Sequence, residues 1–170
     1  MDGTNVRPAT TDDVGAVRRV ARESWHAAYD GLLGAETVDA VVDDWYDPER
    51  LARPVEREDG VFLVAEADES TDSGVVGFAQ GVVGDGDDPA ELPRIYVSPD
   101  RWGGGVGSAL LARVEDRLAD RGADRLRLVV LADNEVGNGF YEKHGYRVVG
   151  ERESELAGRT VTDYVREKEL

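Results

Sequence analysis

The sequence predicts an α/β fold with a mixed sheet of six to seven strands flanked by about four helices. Strand-like and helix-like segments alternate along the chain, which favours parallel strands in the middle of the sheet and antiparallel strands at its ends. The chain has 170 residues, of which 41% are hydrophobic and 33% are charged. This size and composition suit one globular domain over residues 1–170.

The first part of the chain predicts a strand, helical segments and a strand pair. A strand over residues 5–10 precedes a helix from about Thr11, because Thr11 suits the N-cap and two aspartates follow in the first turn. Residues 26–45 predict further helical turns, broken near Gly31 and Gly34. The stretches "DGVFLVAEA" and "SGVVGFAQGVV" then predict two strands, and the acidic "ADESTDSG" between them predicts a hairpin turn.

The second part alternates strands with helices after the loop "GDGDDPAE". In chain order we expect a strand over 92–97, a helix over 105–122 ending at Gly122, a strand over 124–131, a helix over 134–145, and a closing strand pair, 146–153 with 159–170, around Gly158. No repeat, low-complexity tract or long linker interrupts this order.

Acidic residues outnumber basic ones by 36 to 20, which gives a formal net charge of -16. A chain with this negative charge repels the phosphate backbone of nucleic acids, so the composition argues against a nucleic-acid-binding function. No apolar run approaches the ~18 residues of a membrane span, and the first residues lack the basic and apolar regions of a signal peptide. We therefore expect a cytoplasmic protein without a nucleic-acid or membrane partner.

Metal and thiol chemistry are not expected from this composition. The sequence contains no cysteine, and its two histidines, His26 and His144, are far apart. Neither a disulfide nor a structural zinc site can be built from these residues. Catalysis would therefore depend on oxygen atoms and backbone groups.

The basic residues are almost all arginine, since lysine occurs only at Lys143 and Lys168. Together with the abundant aspartate, this composition resembles cytosolic proteins of halophilic organisms that balance external salt with internal potassium chloride. The alternative is an acidic protein from a GC-rich genome without salt adaptation.

Four glycines lie within five positions of "PDRWGGGVGSALL", residues 99–111. Because glycine weakens helices and strands, such a cluster indicates that bare backbone is needed. It follows a strand and opens a helix, where free N–H groups and the helix dipole bind anions such as phosphate. A P-loop is excluded because no Gly-Lys-Ser/Thr follows, and Ser108 stands where a dinucleotide-binding motif requires glycine. The alternative is a flexible turn with a glycine N-cap.

The longer stretch "LPRIYVSPDRWGGGVGSALL" resembles the acyl-CoA-binding motif of the GNAT superfamily of N-acetyltransferases. In that pattern a strand ends in Val-x-Pro, followed by Arg or Gln, two variable residues, Gly, one residue, and Gly or Ala. Trp102 stands where the family usually has Arg or Gln, and Arg101 could supply the missing cation. The alternative for Trp102 is an aromatic ring that packs on the helix start.

A second stretch, "ADNEVGNGFYEKHGYRVVG" over residues 132–150, resembles the later motif of the same superfamily. The N-terminal "ESWHAAYDGLL" is similar to a subgroup of these enzymes. The resemblance implies acetyl-CoA as cosubstrate and an amine of a small molecule or peptide as acceptor, and it leaves a homodimer open. It implies acetyl-CoA contacts at Ile95, Tyr96, Val97, Arg101, Trp102, Gly103, Gly104, Gly105, Val106, Gly107, Ser108, Asn134, Asn138, Tyr141 and Lys143.

Two side chains are candidates for the chemistry that the resemblance implies. Tyr141 would protonate the leaving thiolate, since a phenol with a pKa near ~10 matches a leaving group of similar basicity. Glu91, which by alternation would share a strand face with Ile95 and Val97, is the candidate base. The alternatives are a buried packing role for Tyr141, a solvated carboxylate for Glu91, and an ordered water as base. A backbone N–H near Val97 would stabilise the carbonyl oxygen.

Weaker candidates for the acceptor pocket are Trp25, Tyr29 and Glu66. Trp25 and Tyr29 are four residues apart on a predicted helix, a spacing that also suits core packing. Two other functions stay open: an acyl-CoA sensor without catalysis, and a module that binds another nucleotide. Release of coenzyme A in the presence of amines separates the enzyme from the sensor. Another nucleotide would need a ribose-binding acid or a metal site.

Overall fold

A computed structural model of the chain describes residues 4–56, 60–67, 74–84, 87–156 and 158–170. These residues form five α-helices around one seven-stranded sheet. The strands are β1 (Thr4–Pro8), β2 (Val61–Ala67), β3 (Val75–Val82), β4 (Ala90–Val97), β5 (Arg125–Leu131), β6 (Arg147–Leu156) and β7 (Arg159–Glu169). The helices are α1 (Val14–Leu33), α2 (Ala35–Trp45), α3 (Pro48–Glu56), α4 (Val106–Asp120) and α5 (Glu135–Lys143).

The sheet has the order β1-β2-β3-β4-β5-β7-β6 and is mixed, as predicted. Every neighbouring pair is antiparallel except β4 with β5. That parallel pair is joined only at Ala90 with Leu126 and at Glu91 with Arg127. Beyond these positions the two strands have no ladder between them, so the sheet opens in its centre.

Two hydrophobic clusters lie on opposite faces of the sheet. Helices α1, α2 and α3 bury one face, with Val20, Val42 and Leu51 fully enclosed against Phe78. Helices α4 and α5 cover the other face, where Leu110 is fully buried. Burying such aliphatic side chains is the main stabilising contribution, roughly 1.5–3 kcal/mol for each.

The predicted N-cap of the first helix is wrong by one residue, although the first helical turn does begin at Thr11. Thr10, rather than Thr11, caps the turn, and its N–H donates to Asp13 Oδ2 at 2.8 Å. The first turn, Thr11–Asp13, is a 3₁₀ helix that leads into α1. Both Nη atoms of Arg7 donate to the Asp13 carboxylate at 2.9 Å, which fixes this turn against β1.

The predicted break at Gly31 is wrong, and the break at Gly34 is confirmed. Helix α1 continues through Gly31 to Leu33, because Gly31 keeps helical geometry on an exposed surface. Gly34 ends the helix with φ of 89°, a conformation that favours glycine. The sequence did not predict α3, whose first position is Pro48.

The remaining predicted elements are confirmed, with small shifts of their ends. Strand β4 begins at Ala90 rather than residue 92. Strands β2 and β3 pair as an antiparallel hairpin from Val61 with Gly81 to Glu66 with Val75. The predicted turn between them lies in residues 68–73, outside the described residues.

Candidate active site

The opening between β4 and β5 forms a cavity of about 730 Å³. Residues 92–97 of β4 and residues 128–131 of β5 line its two sides. The rest of the lining comes from helices α1 and α5, the turn before α4, Trp45 of α2, and strands β6 and β7. A cavity of this size suits a small-molecule ligand.

This cavity joins the two faces of the sheet. Val97 and Tyr141, which line it, pack in the cluster on the α4 side. Trp25, Tyr29 and Tyr96 also line it and pack in the cluster on the α1 side. Two ligands entering from opposite faces could therefore meet between β4 and β5.

The turn before α4 and the first residues of α4, together residues 101–108, are called the glycine loop here. Gly103 and Gly105 have φ of 79° and 91°, and a Cβ on either would meet no atom within 4 Å. Both positions therefore require glycine for backbone conformation rather than for packing.

Five amides of the glycine loop are available to a ligand. Within the part of the chain that the structure describes, the N–H groups of Gly103, Gly105, Val106, Gly107 and Ser108 have no protein acceptor. They lie at the N-terminus of α4, where the helix dipole adds positive potential. This arrangement fits an anionic group such as a pyrophosphate.

Trp102 connects the glycine loop to the end of β4. Its indole Nε1 donates to the Val97 carbonyl at 2.8 Å, while its ring remains 40% exposed. This hydrogen bond holds the loop to the strand. Arg101 is exposed and lines the cavity, where it can add the positive charge that Trp102 lacks.

The backbone of Val97 faces the opening. Ser98 N–H donates to Val76 O on β3 at 2.8 Å, and amide directions alternate along a strand. The Val97 N–H and carbonyl therefore point away from β3 toward β5. Ile95, two residues earlier on the strand, lines the same cavity.

Tyr141 lines the cavity at the junction of the two faces. Its ring contacts Phe140 and Tyr146 with centroid distances of 5.4 Å and 6.0 Å. Burial raises the pKa of the Tyr141 phenol well above its usual value, so it keeps its proton at neutral pH. No described side chain forms a hydrogen bond with this hydroxyl, which leaves it available to a ligand.

Asn134 links α5 to α1. Its Oδ1 accepts the Gly137 N–H at 2.9 Å, which caps α5, and its Nδ2 donates to the Tyr29 hydroxyl at 2.9 Å. Burial raises the pKa of Tyr29 to about 12. Asn134 and Tyr29 both line the cavity, so this hydrogen bond forms part of its lining.

Ser108 and Lys143 line the cavity on the α4 side. Ser108 Oγ lies 2.9 Å from His144 Nε2. Burial lowers the pKa of His144, which favours the neutral ring as the partner of this hydroxyl. Lys143 is exposed near the opening.

Two predicted cofactor residues lie outside the lining. The Gly104 N–H donates to Arg101 O at 3.2 Å, so this amide is not available. Asn138 Nδ2 donates to Leu131 O at 3.0 Å, and its Oδ1 accepts from Arg166 Nε at 3.0 Å. Asn138 therefore supports the β5–α5 connection instead of a ligand.

Glu91 lines the cavity, but not on the predicted strand face. The register of β3 with β4 shifts between Gln80 and Val82, which pair with Arg94 and Glu91 respectively. This bulge puts Glu91 on the face of Arg94 and Tyr96, opposite Ile95. The predicted face was wrong, because simple alternation does not include a bulge.

Among the acceptor-pocket candidates, Trp25 and Tyr29 line the cavity and Glu66 does not. Glu66 accepts a hydrogen bond from Arg7 Nε at 2.7 Å, near the β1–β2 edge. The Trp25 ring contacts Tyr29 at 4.6 Å and Trp45 at 5.4 Å, so this side of the cavity is aromatic.

Sequence reasoning missed four charged residues of the cavity, Arg94, Arg152, Glu155 and Asp163. The Arg94 guanidinium lies 4.7 Å from the centre of the Tyr46 ring and donates to Trp45 O at 3.3 Å. Asp163 is buried on β7. The segment "TVTDYV" could have indicated Asp163. Val161, Asp163 and Val165 are two residues apart, so an acid shares one strand face with two apolar residues.

The described residues contain neither a metal-binding cluster nor a helix that could span a membrane. No group of three His, Cys, Asp or Glu side chains could hold a metal ion. None of the described helices combines the length and the apolar character of a membrane span.

Comparison with known proteins gives the family. Residues 19–146 match the acetyltransferase (GNAT) family. The chain is 31% identical to a spermidine N(1)-acetyltransferase of Thermoplasma acidophilum over 148 residues, which cover 84% of this chain and 88% of that protein.

Solved structures agree in fold. The crystal structure of PaiA N-acetyltransferase from Thermoplasma acidophilum in complex with coenzyme A has a TM-score of 0.84 and 29% identity, covering 98% of this chain and 99% of that one. The ribosomal-protein-S18-alanine N-acetyltransferase of Escherichia coli has a TM-score of 0.71 and 22% identity, covering 98% and 93%. The family match and the geometry of the cavity agree, and this chain belongs to the GNAT family of acetyltransferases.

Proposed function

We propose that this acetyltransferase binds acetyl-CoA and a primary amine together and transfers the acetyl group by direct attack of the amine. The observation that carries the proposal is the single cavity that joins both faces of the sheet between β4 and β5. Acetyl-CoA would enter from the α4 side and the amine from the α1 side. Direct transfer needs no covalent enzyme intermediate when both reactants meet in the opening.

The residues on the α4 side fit coenzyme A. The available amides of Gly103, Gly105 and Gly107 would bind its pyrophosphate, and Lys143 and Arg101 would add positive charge near the opening. The edge of β4 that faces the opening offers the Ile95 N–H and carbonyl and the Val97 N–H to an amide-containing chain, whereas the Val97 carbonyl accepts from Trp102. This fit is supported by the coenzyme A complex of PaiA N-acetyltransferase, a protein of similar fold.

Acetyl-CoA supplies a thioester, whose carbonyl is attacked and whose thiolate leaves. The Val97 N–H, which faces the opening, would stabilise the negative charge that develops on the carbonyl oxygen. Tyr141 would donate its proton to the leaving sulfur. Its raised pKa means that the phenol is protonated at working pH, as a general acid requires.

The base that receives the amine proton is Glu91 or an ordered water. Glu91 lies on the α1 side of β4, the side from which the amine would enter. Its exposed carboxylate can exchange a proton with solvent directly.

Cytoplasmic location and a homodimer stay predictions from the sequence.

The acceptor is proposed to be a polyamine or a similar cationic amine. The support is the similarity to a spermidine N(1)-acetyltransferase, whose alignment covers 84% of this chain. The aromatic residues on the α1 side, Trp25, Tyr29 and Trp45, add a surface on which ammonium groups bind well.

The test is the Tyr141→Phe variant, measured by thiol release from acetyl-CoA with spermidine. We expect kcat to fall roughly 10²-fold, since general acids contribute about that much, while coenzyme A affinity is unchanged. Tyr164→Phe is the matched control, because Tyr164 is half-buried on β7 and does not line the cavity.

A wild-type rate for Tyr141→Phe would remove the acid role and leave Tyr141 as a packing residue. A wild-type protein that binds coenzyme A but releases no thiol with any amine of a broad panel would be an acyl-CoA sensor. Both measurements use the purified chain and need no partner.

A further inference from the structure

Three carboxylates are buried among the described residues: Asp13, Asp163 and Glu167. A buried carboxylate is costly unless a cation and hydrogen bonds compensate for the lost water. Arg7 compensates Asp13 with two hydrogen bonds of 2.9 Å. Arg127 compensates Glu167 from 2.8 Å and 3.0 Å. Asp163 is therefore the case to explain.

Asp163 has a more distant cationic partner than Asp13 and Glu167 have. Ser154 Oγ donates to its Oδ2 at 2.7 Å, and Arg152 Nε lies 3.7 Å from the same oxygen. The Arg152 side chain is 59% exposed, whereas that of Asp163 is 9% exposed. No described side chain donates to Oδ1, and Asp163 lines the cavity. The carboxylate therefore has room for one further cationic partner.

The position of Asp163 points to the acceptor side. It pairs with Leu131 across β5 and β7, and Leu131 packs in the cluster on the α1 side. Tyr29, which packs in the same cluster, lines the cavity together with Asp163. Tyr141 packs on the opposite face of the sheet. An acceptor amine that reacts near Tyr141 would therefore extend past Tyr29 toward Asp163.

We infer that Asp163 binds a second ammonium group of the acceptor, one that is not acetylated, so that the enzyme selects diamines and polyamines over monoamines. This inference rests on the proposed function. Asp163 is a specificity residue here and takes no part in proton transfer.

The other charges of the cavity agree with this placement. Glu91, Arg94, Arg152 and Glu155 also line it. Arg94 is held on the β4 side by the Tyr46 ring and the Trp45 carbonyl, which disfavours an ammonium group there. The second ammonium group is thereby directed to the β7 side, where Ser154 orients the Asp163 carboxylate.

The experiment compares 1,4-diaminobutane with 1-aminobutane as acceptors for the wild type and for Asp163→Asn. We expect the wild type to prefer the diamine in kcat/KM at least ~10-fold. Asp163→Asn should lower kcat/KM for the diamine by about 10- to 100-fold, mainly through KM, and leave the monoamine within about twofold. Asp116→Asn removes the same charge from an exposed position on α4 and serves as the matched control.

Melting temperature separates specificity from folding. If Asp163 binds substrate, Asp163→Asn removes a buried charge that Arg152 balances from 3.7 Å, and the variant melts at the wild-type temperature or above. If it mainly supports the fold through Arg152, the variant melts lower and loses activity equally with both amines, which overturns the inference. A wild type without diamine preference overturns it as well.

Failure of the proposed function gives a different result. In that case the wild type acetylates neither amine nor spermidine, and no comparison of acceptors is possible. Equal loss or no loss with both amines in an active enzyme rejects only the role of Asp163.

Discussion

The two histidines of this chain respond to pH in opposite directions. His26 lies between α1 and α2, with Nδ1 2.7 Å from Asp30 and Nε2 2.8 Å from Asp39. The hydrogen bond with Asp30, followed by that with Asp39, raises the pKa of His26. Burial, followed by Lys143, lowers the pKa of His144.

These shifts predict opposite pH dependence of stability. The pKa of His26 is higher in the folded protein than its value of ~6.5 in the unfolded chain, so protonation of His26 stabilises the fold. This stabilisation is complete below pH ~6.5 and is lost as the pH rises through the folded-state pKa. For His144 the change of stability with pH has the opposite sign. Because its pKa is lower in the folded protein, the fold becomes less stable as the pH falls below ~6.5 toward the folded-state pKa.

We expect the stability lost in His26→Gln to be larger at pH 6 than at pH 8, and the stability lost in His144→Gln to be smaller at pH 6 than at pH 8. Urea unfolding at both pH values, at one fixed salt concentration, measures each difference. A His26→Gln penalty that does not grow toward pH 6 would contradict the ion-pair interpretation.

At the residue scale, motif residues were easier to predict than their partners. The glycine loop, Tyr141 and Asn134 could be placed in the cavity from local pattern, because motifs are contiguous in sequence. The hydrogen bond from Trp102 to Val97 and the ion pair of Arg152 with Asp163 depend on the positions of these side chains in the folded protein. Local sequence carries no information on those distances.

At the scale of elements, Gly107 decides how closely α4 approaches α5. A Cβ at Gly107 would lie 3.2 Å from Phe140 Cε1 and 3.3 Å from Cζ. Phe140 precedes Tyr141 on α5, so any displacement of its ring also shifts the candidate acid. Gly107 therefore has a packing role in addition to its available amide.

We expect Gly107→Val to lower stability by about 1–3 kcal/mol, the usual cost of overpacking, and to lower kcat as well. Gly15→Val is the matched control, because Gly15 is exposed on α1 with no atom within 4 Å of a Cβ. It should stay within about 0.5 kcal/mol of the wild type, as surface substitutions usually do. Chemical denaturation and thiol-release rates measure the two effects, and equal stability of both variants would contradict the packing role.

Periodicity predicted most elements because each has an apolar face of regular spacing. It missed α3, in which two prolines and several charged residues obscure the helical pattern. It also missed the bulge in β4, since a bulge is a relation between two strands. That bulge decides which face Glu91 occupies, so the site depends on an irregularity that alternation cannot predict.

For the whole molecule, the excess of acid is the dominant physical feature. Of the charged side chains, 36 are acidic and 20 are basic, so pairing each basic side chain with one acid would leave 16 acids without a basic partner. In most ion pairs of the described residues the basic partner is arginine. Arg22, for example, pairs with two aspartates of α2, Asp39 and Asp43. The remaining acids repel one another and repel an anionic cosubstrate.

The charge predicts that salt stabilises this protein. At ~1 M salt the Debye length shrinks to about 3 Å, so repulsion between separated carboxylates is screened while direct hydrogen bonds of the glycine loop persist. Exposed pairs such as Arg22 with Asp43 weaken under the same screening, but each contributes little. We therefore expect both melting temperature and initial rate to rise from ~0.1 to ~3 M potassium chloride. If both are flat or fall across this series, attraction between surface charges outweighs repulsion, and the acidic composition is not an adaptation to salt.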